Sequence, residues 1–273
     1  MNPIIEISVG GLDLVISAYR LLLLVALVAT VAVGLIMASR VGISRRALGW
    51  VMAGSAAGAL VGARTLAVLG TRSPDDELWS RLFRLSAVDF ALYGGLIGGG
   101  LVGWALCRVV ELRPLRAADA LAPALGAGIV FMRVGCLLSG CCFGNPTPLP
   151  WGITYPTGST PHLHQIYSGD SIFTSLSGPS AVHPFPVYDL VAALTGALVA
   201  VLVIRRGWRE GSGMAVFVLW YSTWRLVSLP LRADTGASLL PGWFWPTLFL
   251  AAAVAAGSWL SSGRRMIALA PAT

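Results

Sequence analysis

The stretch FMRVGCLLSGCCFGNPTPLPWGITYP, residues 131–156, places one arginine and three cysteines at the end of an otherwise apolar segment. The chain before it, from residue 119, is rich in Ala, Leu, Gly and Val. About 20 mostly apolar residues are enough to cross a bilayer as a helix. We therefore predict a transmembrane helix over about residues 119–142, followed by a loop rich in glycine and proline. Arg133 would then lie within the membrane.

The composition of the whole chain supports a membrane location. Of its 273 residues, 56% are hydrophobic and 11% are charged, and the mean hydropathy is +0.77. A soluble domain carries about 25% charged residues. The net charge of +7 does not indicate a nucleic-acid partner, because the arginines flank apolar segments instead of covering a polar domain. We expect an all-α polytopic integral membrane protein, with residues 1–273 forming a single membrane domain.

Seven segments have the length and apolar character of transmembrane helices. They cover about residues 14–38, 47–70, 87–107, 119–142, 184–204, 213–231 and 243–261, and are called spans 1 to 7 below. The residues before span 1 lack the basic start of a cleaved signal peptide. We expect them to form a short extended or amphipathic lead-in.

The loops between the spans differ in charge on the two sides of the predicted bundle. Those after spans 1, 3, 5 and 7 hold eleven arginines, whereas the other loops hold four, together with several acids. Because arginine-rich loops stay in the cytoplasm, we predict an outside N-terminus and a cytoplasmic C-terminus. The loop at about residues 143–183 is then exoplasmic. It is longer than a simple connection needs, so we expect it to be functional or partly mobile.

Four arginines fall inside the predicted spans and lean toward the outer leaflet. They are Arg20, Arg64, Arg133 and Arg225. A charged group at bilayer depth costs about 2.5–3.5 kcal/mol on insertion scales, so such groups usually pair or bind a ligand. The acids Asp89 and Asp189 lie near outer helix ends and leave positive charge to spare. A lipid phosphate matches the arginine fork, although each arginine could instead reach the interface or backbone carbonyls.

Spans 2 and 3 each carry glycines at four-residue spacing. These glycines are Gly54, Gly58 and Gly62 in span 2, and Gly95, Gly99 and Gly103 in span 3, with Gly94 and Gly98 beside them. The spacing puts each set on one helix face and allows two helices to pack closely. An alternative is that the third helix opens around YGGLIGGG beside a ligand.

Several motifs resemble those of bacterial prolipoprotein diacylglyceryl transferases. The first is MRVGCLLSGCCFG, which aligns without a gap to the family pattern G-R-x-G-N-x-x-N-G-E-x-x-G and is followed by a similar P-W-G-x-x-x-P turn, here PWGITYP. The family's H-G-G-x-x-G and G-A-R segments are similar to YGGLIGG and GART. Its H-P-S-Q-x-Y-E and Y-x-x-x-R-x-x-x-E-x-x-R-x-P-D segments are similar to HPFPVYD and YSTWRLVSLPLRAD. The matches run in order from Tyr19 to Asp234.

The resemblance implies a reaction in the outer leaflet. In this family the diacylglyceryl group of phosphatidylglycerol moves to the thiol of a lipobox cysteine on a secreted protein, and glycerol phosphate leaves. Arg133 and Arg225 take the family's arginine positions, which implies that they bind the lipid phosphate and stabilise the leaving charge. Tyr93 takes the position of a histidine that is a candidate general base.

The resemblance also implies which residues contact substrate. Tyr19 takes the position of a tyrosine near the outer end of the first helix, and Arg64 that of an arginine in the second. His183 and Tyr188, with Arg232 beside them, would line the entrance at span 5. The other expected substrate contacts are Gly94, Gly95, Cys136, Ser139, Gly140, Cys141 and Gly144.

Several polar residues of the family pattern are replaced in this chain. The replacements are Tyr93 for the histidine, Cys136 and Ser139 for the signature's two asparagines, Cys141 for its glutamate, Phe185 and Pro186 for Ser-Gln in H-P-S-Q, and Leu229 for the glutamate of span 6. A tyrosine, with a pKa of about 10, is a weak base at neutral pH. The chain therefore looks like a divergent branch with G-C-x4-C-C, whose donor lipid or acceptor could differ.

Three interpretations of Cys136, Cys141 and Cys142 stay open. They could pack the end of span 4 as small apolar side chains, or form a disulfide in an oxidising compartment. They could also supply a thiolate that acts as a nucleophile, a carrier or a metal ligand, with Arg133 favouring the ionised form. The spacing of the cysteines matches no zinc motif, so we expect no metal site and no cofactor.

The three histidines carry weaker expectations. His162 and His164 lie in the exoplasmic loop, and we expect both to be solvated. His183 begins HPFPVYD, where it could cap the helix of span 5 or face the site.

Two functions are consistent with these features. The first is transfer of a diacylglyceryl group from phosphatidylglycerol to a protein cysteine by a monomeric, multi-pass enzyme of the bacterial cytoplasmic (inner) membrane. Its partners would be the phospholipid and a secreted lipobox-containing preprotein. The alternative is a membrane protein of the same fold that does not modify lipoproteins. It would bind or transport an anion or a small thiol through a cavity of arginine and cysteine side chains.

Overall fold

The structure is a computed structural model. It describes residues 4–9, 12–70, 91–167, 178–233, 246–252, 254 and 257. The predicted loop before span 3, Asp89 and most of span 7 lie outside the described residues. Residues 246–252, in the first half of span 7, are helical.

The described residues are mainly helical. The helices are α1 (Ala18–Arg40), α2 (Arg45–Gly70), α3 (Leu92–Val109), α4 (Pro114–Ser139), α5 (Thr160–Tyr167), α6 (Phe185–Arg205) and α7 (Ser212–Val227), and a 3₁₀ turn follows at Leu229–Leu231. By length and composition, α1, α2, α4 and α6 can each cross a membrane. The predicted spans 1 to 6 therefore each contain a helix, with ends that differ by a few residues.

A short hairpin precedes the first helix. Strands β1 (Ile4–Val9) and β2 (Leu12–Ser17) pair antiparallel, with Ile4 opposite Ser17. Both strands are rich in β-branched residues, and the sequence between them is Gly-Gly, which favours a tight two-residue connection. The lead-in is thus extended, as one of its two predicted forms, and α1 starts at Ala18 instead of residue 14. The hairpin adds a small sheet to the predicted all-α fold.

The chain divides into two compact units. The first comprises residues Met1–Val33 and Leu121–Thr273, and the second comprises Gly34–Ala120. Each unit is described by itself below.

Close packing of α2 on α3 builds the second unit. The Cβ of an alanine at Gly58 would lie 2.6 Å from the side chain of Val102, and one at Gly62 would collide with the carbonyl of Gly94. The two backbones approach so closely because the facing residues lack side chains. The predicted ladder therefore packs helix on helix. The helix α3 is regular from Leu92 onward, so the alternative in which it opens around these glycines is wrong for the described residues.

Small residues also hold the helices of the first unit together. A buried cluster joins Ala122 of α4 to Ala197 and Ala200 of α6 and to Phe217 of α7. The indole of Trp220 donates a hydrogen bond of 2.9 Å to the carbonyl of Ala192. This packing fixes α4, α6 and α7 against one another, and these three helices carry the polar residues described next.

The described part of the exoplasmic loop packs as ordered structure. Isolated bridges pair Gly144 with Arg232, and Val182 with both Pro146 and Ile153. Beneath them Phe143, Tyr155 and Val182 form a buried apolar cluster. Backbone bridges and buried aromatic rings thus tie these residues to the ends of α4 and α7.

Candidate functional site

The end of α4 brings two of the cysteines together. Gly140 follows the last helical residue and has φ +71°. The amide of Cys141 then donates a hydrogen bond of 3.2 Å to the carbonyl of Cys136. A left-handed glycine with such a six-to-one bond is the Schellman ending of a helix. Glycine is required here for space as well, since a Cβ at Gly140 would lie 3.2 Å from the ring of Tyr155.

Cys136, Cys141 and Cys142 form a compact group, called the cysteine cluster below. Their three sulfur atoms all lie within 4.8 Å of one another, and all three thiols are free. Cys142 has φ +58°, which is uncommon for a residue with a side chain. The hydroxyl of Ser139 lies 3.6 Å from the sulfur of Cys141. A second left-handed residue directly after Gly140 thus places the third thiol beside the other two.

The environment of the cluster changes the pKa values of groups beyond the end of α4. Hydrogen bonds from the thiols of Cys136 and Cys141 lower the pKa of Cys142 well below its usual range, and the arginines Arg133 and Arg232 act in the same direction. Burial raises the pKa of Tyr155 to about 12. Negative charge in the cluster is therefore favoured on Cys142, while Tyr155 keeps its proton.

A second polar group joins three helices and is called the arginine–aspartate triad below. Arg133 of α4 places Nη2 2.9 Å from Oδ2 of Asp189 in α6. Arg225 of α7 places Nη1 3.2 Å from the same oxygen. The other carboxylate oxygen, Oδ1, accepts a hydrogen bond of 2.7 Å from the indole of Trp224. One carboxylate thus orients two of the four arginines that lie inside predicted spans.

The triad carries more positive than negative charge. Asp189 is fully buried, and the side chains of Arg133 and Arg225 are only 11% and 23% exposed. Two guanidinium groups against one carboxylate leave one positive charge. Nε of Arg133 is buried and has no hydrogen-bond partner among the described residues. A buried cation with an unused donor suits an anionic ligand, because an unpaired buried polar group costs about 1–3 kcal/mol.

Arg133 also touches the cysteine cluster. Its Nη1 lies 4.0 Å from the sulfur of Cys136, one helical turn further along α4. Tyr19 of α1 packs beside both, since a Cβ at Gly135 would lie 3.3 Å from its ring. Tyr19, Arg133, Cys136, Ser139, Gly140, Cys141 and Arg225 are thus the predicted site residues that the structure brings to one place.

A smaller polar group lies where the loop meets α6. Trp151 donates a hydrogen bond of 2.7 Å from its indole to the hydroxyl of Tyr188, and Nδ1 of His183 lies 3.2 Å from that hydroxyl. Gly144 packs tightly against His183, because a Cβ at Gly144 would lie only 2.6 Å from the Cβ of His183. His183 does not cap α6, because Pro184 holds the N-cap position without a side-chain hydrogen bond. That alternative for His183 is wrong.

Phe185 connects this entrance to the triad. Its buried ring has the guanidinium carbon of Arg232 at 5.0 Å and that of Arg225 at 5.8 Å from the centroid. At these distances the negative face of an aromatic ring attracts a cation. The apolar residue that replaces a family serine therefore supports two arginines instead of offering a hydroxyl.

The other predicted site residues lie in the second unit. They are Arg64, Tyr93, Gly94 and Gly95. Arg64 is buried in α2, and Tyr93 is half-buried in the first turn of α3. Gly94 meets Gly62, and a Cβ at Gly95 would lie 3.3 Å from the carbonyl of Ala59. Both glycines serve helix packing, and their contact with substrate stays a prediction, as does that of Arg64 and Tyr93.

The structure adds to or corrects the expectation at three residues. Asp189 is expected as an acid near an outer helix end that could pair with the arginines, and the structure shows that Arg133 and Arg225 both bind its Oδ2. Trp224, next to Arg225, gave no signal of its own. His162 was expected to be solvated, and this is wrong: it is buried, and its Nδ1 accepts a hydrogen bond of 3.0 Å from Gly158. Arg20 is exposed, so of the four arginines predicted to cluster, the triad contains Arg133 and Arg225.

Comparison with known proteins places the chain in a family. The family model for prolipoprotein diacylglyceryl transferase matches residues 6–270. The chain belongs to this family.

Curated relatives with the same description are similar at moderate identity. The phosphatidylglycerol–prolipoprotein diacylglyceryl transferase of Bifidobacterium adolescentis is 29% identical over 161 residues, which are 57% of this chain and 47% of the relative. That of Chromohalobacter salexigens is 27% identical over 213 residues, 76% of this chain and 71% of the relative. That of Leifsonia xyli is 32% identical over 145 residues, 53% of this chain and 40% of the relative. The chain spans about half the length of the first relatives that it matches.

As a member of the diacylglyceryl transferase family, the chain keeps and departs from the pattern in different places. Arg133 and Arg225, which the motif resemblance aligns with family arginines, both bind Asp189. Three of the seven replaced residues, Cys136, Ser139 and Cys141, lie at the end of α4, and the two cysteines belong to the cluster. Leu229, in place of the span 6 glutamate, starts the 3₁₀ turn that ends α7, with Pro230 after it.

Proposed function

We propose that the protein transfers a diacylglyceryl group from a phospholipid, phosphatidylglycerol, to a cysteine thiol of a secreted preprotein. The observation that carries this proposal is the arginine–aspartate triad. A buried carboxylate holds two partly buried arginines in place and leaves one positive charge and the Nε donor of Arg133 uncommitted. The names of the curated relatives supply the phospholipid and the protein acceptor.

The triad would act on the phosphate of the donor lipid. Arg133 and Arg225 bind the phosphodiester oxygens, and Asp189 keeps both guanidinium groups oriented before the lipid arrives. The thiolate of the acceptor attacks the glyceryl carbon, a C–S bond forms, and the C–O bond to phosphate breaks. The electron pair leaves with glycerol phosphate, whose extra charge the arginines stabilise. Donors that are fixed in advance near a developing charge give a large part of the rate in many enzymes.

The remaining assignments follow the same proposal. His183, Tyr188 and Arg232 form the entrance, and Tyr19 lines the site beside the cysteine cluster. Arg64, Tyr93, Gly94 and Gly95 would contact the substrate, with Tyr93 in the position of the family histidine. These roles rest on the family motifs.

We place the protein in the bacterial cytoplasmic membrane as a monomer with seven spans. The N-terminus is outside, the C-terminus is cytoplasmic, and the loop at about residues 143–183 lies on the exoplasmic side. The excess of arginine in alternate loops supports this orientation, and four helices of sufficient length support the membrane location. Residues 1–273 would form a single membrane domain whose site opens to the outer leaflet, where secreted preproteins emerge.

A second function is favoured by the departures from the family pattern. Tyr93 stands where a base is expected, and cysteines stand where polar residues are expected. A protein of this kind would bind or transport an anion or a small thiol at the triad and the cysteine cluster without modifying lipoproteins.

Complementation separates the two functions. The chain is expressed in a bacterial strain depleted of its own diacylglyceryl transferase, and growth and lipoprotein maturation are followed. The transferase proposal predicts rescue by the wild type and by Cys107→Ser, a buried cysteine of the second unit. It predicts no rescue by Arg133→Ala at equal membrane abundance. Failure of the wild type to rescue, with normal insertion into the membrane, would favour the second function.

A further inference from the structure

The triad accounts for phosphate binding and leaves the three thiols beside it without a role. A purely apolar packing role would not need the arrangement observed. Cys142 holds φ +58°, a conformation that costs a non-glycine residue about 1–2 kcal/mol. This unfavourable conformation places the sulfur of Cys142 within 4.8 Å of the sulfurs of Cys136 and Cys141. Such outliers cluster at ligand sites.

We propose that Cys136, Cys141 and Cys142 bind one Zn²⁺ ion through three thiolates and leave its fourth position open to the acceptor thiol. This replaces the expectation of no metal drawn from the spacing alone. Two sulfurs on tetrahedral zinc lie about 3.8 Å apart, given Zn–S bonds of about 2.3 Å. The sulfurs of the cluster all lie within 4.8 Å of one another, so small side-chain rotations suffice.

The chemistry of the surroundings favours zinc. Thiolate ligands select Zn²⁺ or Cu⁺ over hard cations. Three thiolates on Zn²⁺ carry a net charge of −1, whereas three on Cu⁺ carry −2. The guanidinium of Arg133, which also pairs with Asp189, lies 4.0 Å from the sulfur of Cys136 and offsets part of the negative charge. Because uncompensated charge near the membrane is costly, the lower charge of the zinc complex fits better.

An open fourth position on the zinc would let the site activate the acceptor thiol, and this step rests on the proposed function. Catalytic zinc sites keep three protein ligands and one exchangeable position. A thiol that coordinates zinc is deprotonated, so the acceptor thiol would bind the ion and release its proton to water. Its sulfur then attacks the glyceryl carbon as the C–O bond to phosphate breaks. Zinc would thereby supply the activation for which Tyr93 is a poor base.

Arg133 links the two parts of this arrangement. It lies 2.9 Å from Asp189 in the phosphate-binding triad and 4.0 Å from Cys136 in the cysteine cluster. A thiolate on the zinc and a phosphodiester on the triad would therefore both lie next to the side chain of Arg133. Positioning two reactants together is among the largest contributions to catalysis.

Metal binding is tested on the purified full chain in detergent under anaerobic conditions. Zinc content is measured by mass spectrometry, and Co²⁺ is substituted to follow its thiolate charge-transfer absorption. We expect one zinc per chain and a strong cobalt band in the wild type and in Cys107→Ser. The band should be lost in Cys136→Ser, Cys141→Ser and Cys142→Ser. A wild type that binds neither ion, or that shows a disulfide within the cluster by peptide mapping, would overturn the proposal.

The open position is tested by adding a lipobox peptide to the cobalt-substituted wild type. A peptide with its cysteine should shift the cobalt spectrum, and the same peptide with serine should not. An unchanged spectrum with both peptides would overturn the open position and leave a purely structural ion. Transfer from labelled phosphatidylglycerol is measured separately with the zinc protein. A spectral shift without transfer would contradict the proposed function and not the metal site.

Discussion

The arginine–aspartate triad and the cysteine cluster are neighbours on α4 that are built in opposite ways. The triad joins side chains of α4, α6 and α7, whose residues lie far apart in the sequence. The cluster is local, since Cys136, Cys141 and Cys142 come together through two left-handed residues at one helix end. By the motif resemblance, the triad's arginines match the family pattern, whereas Cys136 and Cys141 depart from it. The matching residues thus belong to the group that depends on helix packing, and the differing cysteines belong to the local turn.

The triad can be broken most severely at its single carboxylate. Asp189→Ala leaves two partly buried arginines facing each other, and we expect a loss of about 3 kcal/mol in unfolding free energy. Thermal unfolding of the purified protein in a mild detergent measures this. In the double variant with Arg133→Met, one of the repelling charges is gone. Its loss of unfolding free energy should therefore be smaller than the sum of the losses in the two single variants. Strict additivity would show that Arg133 and Asp189 do not interact.

Substitution of either triad arginine should lower the transfer rate more than it lowers the stability of the protein. We expect Arg133→Ala and Arg225→Ala each to lower the transfer rate by about 10²–10³-fold, the usual effect of removing one preorganised donor. Transfer of labelled diacylglyceryl to a lipobox peptide measures the rate. Arg20→Ala is the matched control, because Arg20 is exposed on α1 and should stay near wild-type activity. Equal losses in all three variants would argue against a specific phosphate site.

The cysteine cluster can be broken without touching a thiol. Gly140→Ala introduces a Cβ at φ +71° and at 3.2 Å from the ring of Tyr155. We expect a loss of about 1–2 kcal/mol in unfolding free energy and faster reaction of the thiols with a maleimide. The control is Gly100→Ala in α3, where a Cβ meets nothing within 4 Å and helix propensity should improve slightly. Unchanged thiol reactivity in Gly140→Ala would show that the helix ending does not shape the cluster.

The smallest expected effect concerns Tyr155, which covers the end of α4. Its pKa is raised to about 12 in the folded protein, so the folded state keeps the proton longer than the unfolded state does. The stabilisation is complete below pH 10 and is lost as the pH rises through 12. At pH 11 the wild type should lose about 1 kcal/mol relative to Tyr155→Phe. Unfolding measured from pH 9 to 11 tests this, and parallel curves for the two proteins would contradict it.

Local features of this chain could be predicted from the sequence because their causes are local. Gly140 marks the end of a helix, and the four-residue glycine spacing in α2 and α3 marks a close helix contact. The Gly-Gly pair before Leu12 signals the hairpin, although the expectation went no further than an extended lead-in. At Gly140 and in the glycine ladder, a residue without a side chain determines the local structure.

Long-range features could not be predicted in the same way. Asp189 becomes the partner of both arginines only when α4, α6 and α7 pack together, and no spacing in the sequence reports that. His162 is buried and accepts a hydrogen bond from Gly158, whereas its sequence neighbours suggested a solvated position. The cysteine spacing matched no metal motif, since two left-handed residues, and not helical periodicity, bring the three sulfurs together.

The most direct test of the account uses purified components. The wild type, reconstituted in vesicles with labelled phosphatidylglycerol, is incubated with a lipobox peptide, and the peptide is analysed by mass spectrometry. We predict a diacylglyceryl thioether on the peptide cysteine, formed with the wild type and not with Arg133→Ala. Absence of the thioether with the wild type, while an established member of the family forms it in parallel, would contradict the proposal that the triad serves diacylglyceryl transfer.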